Sequence, residues 1–361
     1  MLELDVEKRL GDFHLKSAFR APDGVTALFG VSGAGKTTLI NMLAGLISPD
    51  RGRIVLAETV LFDSAERIDI KPWQRRIGYV FQDGRLFPHL TVRQNLLYGR
   101  WFNSKQRPLA QLDEVTTILG INNLLDRQPT TLSGGEQQRV AIGRAVLANP
   151  RLLLMDEPLA ALDAPRKEDI MTMIAELRDQ LGVPIIYVSH SLNEIARLAD
   201  SIVVLGDGEV LAYGGVSEIT SRLDLAPLAL RDDGGAVLAA RIVAHDPHYR
   251  LTTLGFPGGS LKIPLVDRPV GAGIRLVLRA RDISVALTKP EAISVQNILQ
   301  GRVTELGQPR GSSVDLAVRV GESRVIARVT RQSADDLGLT PGMAVFLLIK
   351  SVALAGPDTE Q

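Results

Sequence analysis

The feature that most constrains the fold of this chain is a glycine-rich segment near its beginning. Residues 30–37 read GVSGAGKT and meet every position of the pattern G-x-x-x-x-G-K-S/T. A short apolar run at residues 25–29 precedes the segment and apolar residues at helical spacing follow it, which predicts the order strand, glycine loop, helix. Glycines allow the backbone to wrap around a phosphate chain, and free N–H groups at the start of a helix attract anions. The segment therefore predicts a nucleoside triphosphate site, and a chance glycine turn is the alternative.

Two side chains of this segment have distinct expected roles. Lys36 is expected to reach the β- and γ-phosphates, and Thr37 is expected to bind Mg²⁺. The residues expected to contact the triphosphate are Gly30, Ser32, Gly33, Ala34, Gly35, Lys36, Thr37 and Thr38.

The composition of the chain limits what else it can be. Its 361 residues predict two or three domains, and its 41 basic and 41 acidic residues leave no overall positive field to recruit nucleic acid. The absence of cysteine excludes disulfides, thiolate metal sites and a cysteine nucleophile. No apolar run approaches the ~20 residues of a membrane helix, so any role at a membrane requires a partner. The first seven residues alternate apolar and acidic side chains, which predicts an edge strand rather than a signal peptide for export.

Polar residues follow three further apolar runs, each of which predicts a buried strand. These residues are Gln82, Asp156, Glu157 and His190. In α/β sheets ligands bind at the carboxyl ends of the strands, so we expect the four residues to form one site with Lys36. A lone glutamine or histidine at such a position is more often structural, and the interpretation depends on the group as a whole.

The adjacent carboxylates suggest the chemistry of that site. Two carboxylates at the end of a buried strand are costly unless they bind a metal or transfer protons. Asp156 is therefore predicted to bind Mg²⁺, and Glu157 is predicted to be the base that polarises the attacking water. The Gln82 amide both donates and accepts hydrogen bonds, which suits contact with Mg²⁺ and a water.

A second glycine motif begins at a predicted helix. Residues 132–139 read LSGGEQQR and lead into apolar residues at helical spacing. Ser133 predicts a helix N-cap, and the two glycines leave the first amides open to an anion. A capped helix without a ligand is the alternative, although the octet is more particular than a cap requires.

Taken in order, these motifs resemble the ATP-binding cassette family over residues 1 to about 225. The resemblance implies a head-to-tail homodimer with two ATP molecules, each bound between the lysine loop of one subunit and Ser133, Gly134 and Gly135 of the other. It also implies that Glu157, His190 and Gln82 are catalytic. Family members stack a tyrosine on adenine near the N-terminus, and Phe13 is the candidate for that position here.

The last third of the chain has a different composition. After residues 231–235, short alternating runs separated by glycine and proline turns predict one or two small β-barrels. Similar residues recur in the segments that begin at Gly271 and Gly342, at an offset of 342 − 271 = 71 residues. We therefore predict domains at residues 1–230 and 231–361, the second made of two related units that are interleaved or packed together.

Residues 291–355 resemble a family of small molybdate-binding domains. The resemblance assigns a tetrahedral oxyanion to Ser294, Asn297, Ser333 and Lys350, because hydroxyls, amides and a lysine bind such an anion without a metal. The alternative is that Ser294 and Asn297 cap a turn.

The whole chain resembles the ATP-hydrolysing subunits of bacterial molybdate importers. The implied fold is an α/β P-loop cassette followed by an all-β OB-like regulatory domain. The resemblance implies ATP and Mg²⁺ as cofactors and two membrane permease subunits as partners. It also implies a periplasmic or surface molybdate-binding protein, and molybdate or tungstate as a regulatory ligand. The implied position is peripheral, on the cytoplasmic face of the inner membrane.

The loop at residues 83–90, with apolar Leu86, Phe87 and Leu90, is predicted either to contact the permease or to pack internally.

Two other functions are compatible with the sequence. One is an importer ATPase for another solute, such as sulfate or a sugar, whose C-terminal region lacks affinity for molybdate. The other is a soluble molybdate sensor or store, against which the complete cassette argues.

Overall fold

The computed structural model of the protein describes residues 1–102, 108–225, 234–350 and 353–354. The chain divides into two compact units. The first comprises Met1–Ser191 and Leu198–Tyr213, and the second comprises Leu192–Arg197 and Gly214–Gln361. The predicted boundary between residues 230 and 231 lies outside the described residues. No helix in the described ranges has the length and apolar character needed to cross a membrane.

The helices are α1 (Lys36–Ala44), α2 (Val92–Leu97), α3 (Leu112–Ile118), α4 (Gly134–Leu147), α5 (Ala164–Leu181), α6 (Leu192–Leu198), α7 (Val216–Thr220) and α8 (Arg331–Asp336). The strands of the first unit are β1 (Leu2–Leu10), β2 (Phe13–Ala21), β3 (Val25–Gly30), β4 (Arg51–Leu56), β5 (Thr59–Asp63), β6 (Ile68–Asp69), β7 (Ile77–Val80), β8 (Leu152–Asp156), β9 (Ile185–Val188), β10 (Ser201–Gly206) and β11 (Glu209–Gly215). Short 3-10 helices cover Pro72–Gln74, Tyr98–Phe102, Asn122–Leu124, Pro129–Thr131 and Ala280–Asp282.

The described strands of the first unit form one sheet in the order β6-β5-β4-β1-β2-β11-β10-β3-β9-β8-β7. The segment β10-β3-β9-β8-β7 is parallel, and its strands β3, β8 and β9 are buried along their whole length, as expected for a sheet covered on both faces. The strands β1, β2, β4 and β5 pair antiparallel.

The prediction that the first strand lies at an edge of the sheet is wrong. Strand β1 pairs with β2 on one side and with β4 on the other. The alternation that we detected reflects one buried face, which carries Leu2, Leu4 and Val6, and one more exposed face. Alternation indicates which face is buried, but it does not indicate whether a strand has one neighbour or two.

A buried arginine closes the C-terminal end of α1. The Arg75 guanidinium donates to the carbonyls of Met42 (2.7 Å) and Leu43 (2.9 Å). It also donates to the carbonyl of Ile70 (2.7 Å) and pairs with Asp69 (3.0 Å). Burial lowers the pKa of Arg75, although the neighbouring Asp69 opposes that shift. Because the glycine loop leads into the other end of α1, these bonds help to fix the helix that carries the candidate site.

The strands of the second unit are β12 (Gly235–Asp246), β13 (Leu251–Phe256), β14 (Gly259–Pro264), β15 (Gly273–Arg279), β16 (Ile283–Ala286), β17 (Asn297–Leu306), β18 (Ser313–Val320), β19 (Ser323–Thr330), β20 (Ala344–Ile349) and β21 (Ala353–Leu354). They form two sheets of five strands, in the orders β14-β13-β12-β15-β21 and β19-β18-β17-β20-β16. One apolar core contains residues of both sheets, among them Leu254, Leu276, Leu316 and Leu347, which are fully buried.

The topology of these sheets confirms the predicted internal repeat. Each sheet consists of a three-stranded antiparallel meander, a fourth strand beside the first, and a fifth strand beyond it. A β-bulge interrupts both meanders at related positions, Ile242/Ala244 and Val303/Glu305. The fifth strands are exchanged: β16 follows β15 in the chain but pairs with β20, and β21 follows β20 but pairs with β15. The two repeats are therefore interleaved.

Candidate active site

The carboxyl ends of four adjacent parallel strands bring the predicted residues of the first unit together. The strands lie in the order β3-β9-β8-β7. Gly30 ends β3 and Asp156 ends β8, whereas His190 follows β9 by two residues and Gln82 follows β7 by two residues. This is the edge at which α/β sheets bind ligands.

The glycine loop adopts a backbone that requires its glycines. Gly33 and Gly35 have φ angles of 83° and 96°, in the left-handed region that glycine adopts without strain. Lys36 is the first residue of α1, and its side chain is buried. Its Nζ atom donates to the carbonyls of Gly30 (2.9 Å) and Val31 (3.0 Å), so the ammonium group lies inside the curve of the loop. A phosphate chain in the loop would meet this charge together with the first amides of α1.

Two of the three residues predicted to bind magnesium, Thr37 and Asp156, are neighbours. The Thr37 hydroxyl lies 3.5 Å from Oδ1 of Asp156, whose side chain is buried. Burial raises the pKa of Asp156, and the charge of Glu157 acts in the same direction. The described residues contain no group of three acidic, histidine or cysteine side chains that could hold a metal by themselves. Mg²⁺ in phosphate sites needs only one or two carboxylates besides phosphate oxygens and water, so these hard oxygen donors fit it.

Glu157 has an unusual backbone conformation and contacts His190. Its φ angle is 46°, which is uncommon for a residue with a side chain. Its amide donates to the carbonyl of Val188 (3.1 Å), which holds it beside the end of β9. Its Oε2 atom lies 3.4 Å from Nδ1 of His190, and both side chains are partly accessible. A water could therefore reach this carboxylate.

The second glycine motif begins α4. The Ser133 hydroxyl accepts from the amide of Glu136 (3.4 Å), while the Glu136 carboxylate accepts from the Ser133 amide (2.7 Å) and hydroxyl (2.8 Å). The hydrogen bond from the Ser133 amide, followed by the one from the Ser133 hydroxyl, holds the pKa of the Glu136 carboxyl below its usual range. A Cβ atom on Gly134 would have nothing within 4 Å. The helix start is therefore capped and open on the side of Gly134.

Phe13 lies against the glycine loop. A Cβ atom placed on Gly35 would be 3.1 Å from Cζ of Phe13 and 2.9 Å from Cδ1 of Leu15. Phe13 is therefore close enough to the loop to contact a bound nucleotide. Gln82 is exposed beyond the end of β7.

The loop after Gln82 is held by α4. The Arg144 guanidinium donates to the carbonyls of Gly84 (3.0 Å) and Arg85 (2.9 Å) and lies 5.3 Å from the ring centroid of Phe87. The Phe87 ring also packs against Tyr98 at a centroid distance of 4.4 Å. Leu86, Phe87 and Leu90 are half-buried, so the loop both packs internally and keeps accessible apolar surface.

Several residues near the site escaped the sequence-based prediction. Arg144 was not identified, and neither were Tyr79, whose hydroxyl lies 3.4 Å from Oδ2 of Asp156, and Asn41, whose Oδ1 atom lies 3.0 Å from that hydroxyl. One signal was available: Thr37 and Asn41 are four residues apart, so α1 presents both on one face.

The four predicted oxyanion ligands are not brought together within one chain. Asn297 pairs with Ile349 across β17 and β20, so Lys350 lies at the same end of the sheet. Ser333 lies at the opposite end, because it is in α8, after the end of β19 where Thr330 pairs with Ser313. An eight-residue strand such as β18 spans roughly 25 Å.

The Asn297 side chain also forms hydrogen bonds with another strand, β14. Its Oδ1 atom accepts from the Lys262 amide (2.7 Å) and its Nδ2 atom donates to the Lys262 carbonyl (2.9 Å). The side chain thus binds the backbone of β14 as a neighbouring strand would.

Comparisons with known proteins agree with this architecture. A family model described as ABC transporter matches residues 19–160, and one described as TOBE domain matches residues 293–355. The fold is similar to that of cbiO1 from Clostridium perfringens, part of the ABC transporter complex cbiONQ, with a TM-score of 0.53 and 28% identity over 61% of this chain and 90% of that chain. It is also similar to the dimeric bacterial ABC transporter cassette MJ0796, with a TM-score of 0.50 and 30% identity over 60% of this chain and 98% of that chain.

Relatives match almost the entire chain, and the chain belongs to the family of ABC transporter ATP-binding proteins. The members that it resembles are named molybdenum import ATP-binding protein ModC. One from Rhodospirillum rubrum is 48% identical over 359 residues, which are 98% of this chain and 97% of the relative. Another from Mesorhizobium japonicum is 46% identical over 358 residues, which are 99% of this chain and 97% of the relative. The predicted family and the predicted fold class, an α/β cassette followed by an all-β domain, are confirmed.

Proposed function

We propose that the chain is the ATP-hydrolysing subunit of an ABC importer that takes up molybdate and, because of its similar size and charge, tungstate. One observation carries the ATPase part: the loop of Lys36, the Thr37–Asp156 pair and the Glu157–His190 pair lie at the carboxyl ends of adjacent strands. The substrate part is supported by the similarity to proteins named for molybdenum import over nearly their whole length.

The geometry supports a direct attack of water on the γ-phosphorus. Lys36, which now donates to two loop carbonyls, would turn to the β- and γ-phosphate oxygens. A bound Mg²⁺, held by Thr37 and Asp156, would neutralise charge on these oxygens. Glu157 accepts a proton as the water oxygen bonds to phosphorus, and the bond to the β–γ bridging oxygen breaks to release ADP. His190, at 3.4 Å from Glu157, orients that carboxylate.

A complete site requires a second copy of the chain. The Ser133 hydrogen bonds described above join it to Glu136 at the start of α4, and Gly134 is open beside it. An open, capped helix start offers free amides to a γ-phosphate carried by a partner subunit. The similarity to a cassette that is dimeric supports a homodimer with two shared sites.

The partners follow from the same proposal. The similarity to ATP-binding proteins named for molybdenum import supports membrane permease subunits as the partners through which hydrolysis drives transport. We therefore place the chain at the cytoplasmic face of the membrane, with a molybdate-binding protein delivering the substrate outside. The loop at residues 83–90 is the proposed permease contact, because it follows Gln82 and keeps apolar surface accessible.

Molybdate or tungstate is also the proposed regulatory ligand of the second unit. Ser294, Asn297 and Lys350 lie at one end of a sheet and Ser333 at the other, so an anion that meets all four must be shared between two copies. An anion regulates hydrolysis only if it binds one arrangement of the dimer more tightly than the other.

Transport measurements with the reconstituted complex test the proposal. Proteoliposomes that contain the chain, its permease and the binding protein should take up labelled molybdate when ATP is present, and Lys36→Ala should abolish uptake. Sulfate in excess should compete poorly. ATP-driven uptake of sulfate without uptake of molybdate would contradict the proposed substrate and leave the ATPase assignment intact.

A further inference from the structure

Tyr79 reaches the candidate magnesium ligand from the neighbouring strand. It lies on β7, which pairs in parallel with β8, the strand that ends in Asp156. Its ring stacks on Phe81 at a centroid distance of 3.9 Å, and its hydroxyl lies 3.4 Å from Oδ2 of Asp156. The ring is therefore held by packing while the hydroxyl faces the carboxylate.

The same hydroxyl is tied to the helix that carries Lys36. It lies 3.0 Å from Oδ1 of Asn41, and Asn41 is four residues after Thr37 on α1. Thr37 contacts Oδ1 of Asp156, and Tyr79 contacts Oδ2. Residues on one face of α1 are thus linked to both oxygens of the Asp156 carboxylate. Thr37 contacts Oδ1 directly, and Asn41 is linked to Oδ2 through Tyr79.

The hydroxyl has one proton for two acceptors. With the Asn41 oxygen towards it, the phenol donates to Asn41. If the amide rotates by half a turn, its Nδ2 atom donates to the phenol oxygen, and the phenol proton turns to Oδ2 of Asp156. The Tyr79 hydroxyl can therefore donate to the Asp156 carboxylate without any movement of the ring.

We propose that Tyr79 is a positioning residue for the magnesium site of the proposed ATPase, on which this inference rests. Its hydrogen bond to Oδ2 fixes the rotation of the Asp156 carboxylate, so that Oδ1 faces Thr37 and the metal. A group that orients a metal ligand in this way typically changes metal affinity by 10- to 100-fold when it is removed.

Binding measurements separate this role from a merely structural one. In the Glu157→Gln background, which we expect to hydrolyse ATP slowly, we compare the affinity for ATP with Mg²⁺ and with a chelator. The comparison is made before and after Tyr79→Phe, which keeps the ring and its stacking. We expect metal-free ATP to bind equally to both proteins, and the gain in affinity caused by Mg²⁺ to fall by about 10-fold in the Phe variant. Titration with Mn²⁺, followed by its electron spin resonance, gives the metal affinity of the nucleotide complex directly.

Two further variants test whether the loss of Mg²⁺ affinity is specific to the Tyr79 hydroxyl. Tyr213→Phe removes an accessible phenol of the same unit and should change neither affinity. Asn41→Ala should change the Mg²⁺-dependent gain only when Tyr79 is present, because Asn41 reaches the carboxylate through the Tyr79 hydroxyl. An unchanged Mg²⁺-dependent gain in Tyr79→Phe, or an equal loss with and without metal, would overturn the inference. Failure of the Glu157→Gln protein itself to bind ATP would instead refute the proposed function.

Discussion

Nδ1 of His190 lies 3.4 Å from Oε2 of Glu157, although the two residues follow different strands. The contact depends on the parallel pairing of β8 with β9, in which Asp156 is opposite Val188, and on the bond from the Glu157 amide to the Val188 carbonyl. The left-handed backbone of Glu157 directs its side chain away from the path of the strand. A strained residue held in this way is typical of a functional site, because the surrounding structure must compensate for the strain.

Replacement of the proposed base should separate binding from hydrolysis. Glu157→Gln keeps the size of the side chain but cannot accept the proton, so turnover should fall by about 10²- to 10⁴-fold while ATP affinity is retained. Single-turnover hydrolysis and equilibrium binding of ATP measure the two quantities. His190→Ala should also lower turnover, and adding it to Glu157→Gln should cost less than it costs alone. A Glu157→Gln protein that turns over ATP at the parental rate would place the base elsewhere.

The sequence predicted the residues of the site better than the contacts between them. Lys36 and Thr37 could be placed together from the sequence because the glycine loop and the start of α1 are formed by residues close together in the chain. The contact of Tyr79 with Asp156 depends on which strand lies beside β8, and the pairing of strands far apart in sequence cannot be read from local patterns. Strand β1 illustrates the same limit, because its pattern showed a buried face but not its second neighbour.

In the second unit, the sequence predicted the internal repeat but not the pairing of the short strands. The repeat was detectable because β15 and β20 occupy the same position in their sheets and carry similar residues at an offset of 71. The exchange of β16 and β21 between the sheets was not detectable, because these short strands carry no signal for a partner. The bond between Asn297 and the backbone of Lys262 likewise depends on how the sheets pack.

We predict that Asn297 stabilises the second unit. Asn297→Ala removes the donor and the acceptor that satisfy the Lys262 backbone, which should lower the free energy of unfolding by about 1–3 kcal/mol. Denaturant unfolding of the full chain, with hydrogen exchange at β14, measures the effect. Ser294→Ala, at an exposed position, should change stability by no more than about 0.5 kcal/mol. Unchanged stability with lost molybdate binding would show that Asn297 acts only as a ligand.

The loop at residues 83–90 should contribute more to assembly than to hydrolysis. Phe87 packs against Tyr98 and Arg144, yet part of its ring remains accessible. Phe87→Ala should weaken association with the permease while sparing basal ATPase activity, as measured by co-purification and by hydrolysis in detergent. Trp73→Ala, an exposed apolar substitution outside this loop, is the control for a general loss of accessible surface. Equal loss of assembly and basal hydrolysis would show that Phe87 is mainly part of the core.

The shared site predicts that two inactive variants restore activity when mixed. Lys36→Ala damages the loop side of a site and Ser133→Arg the opposing side, so a dimer with one protomer of each kind contains one doubly damaged site and one intact site. The mixture should hydrolyse ATP faster than the mean of the two variants measured alone, and ATP should induce dimers in sedimentation experiments.

The matched control for this experiment pairs Lys36→Ala with a protomer that carries both substitutions, since no dimer in that mixture has an intact site. Its rate should stay at the level of the single variants. Rates that simply average in both mixtures, without dimers induced by ATP, would show that each chain hydrolyses ATP alone. The open helix start at Gly134 would then need another explanation.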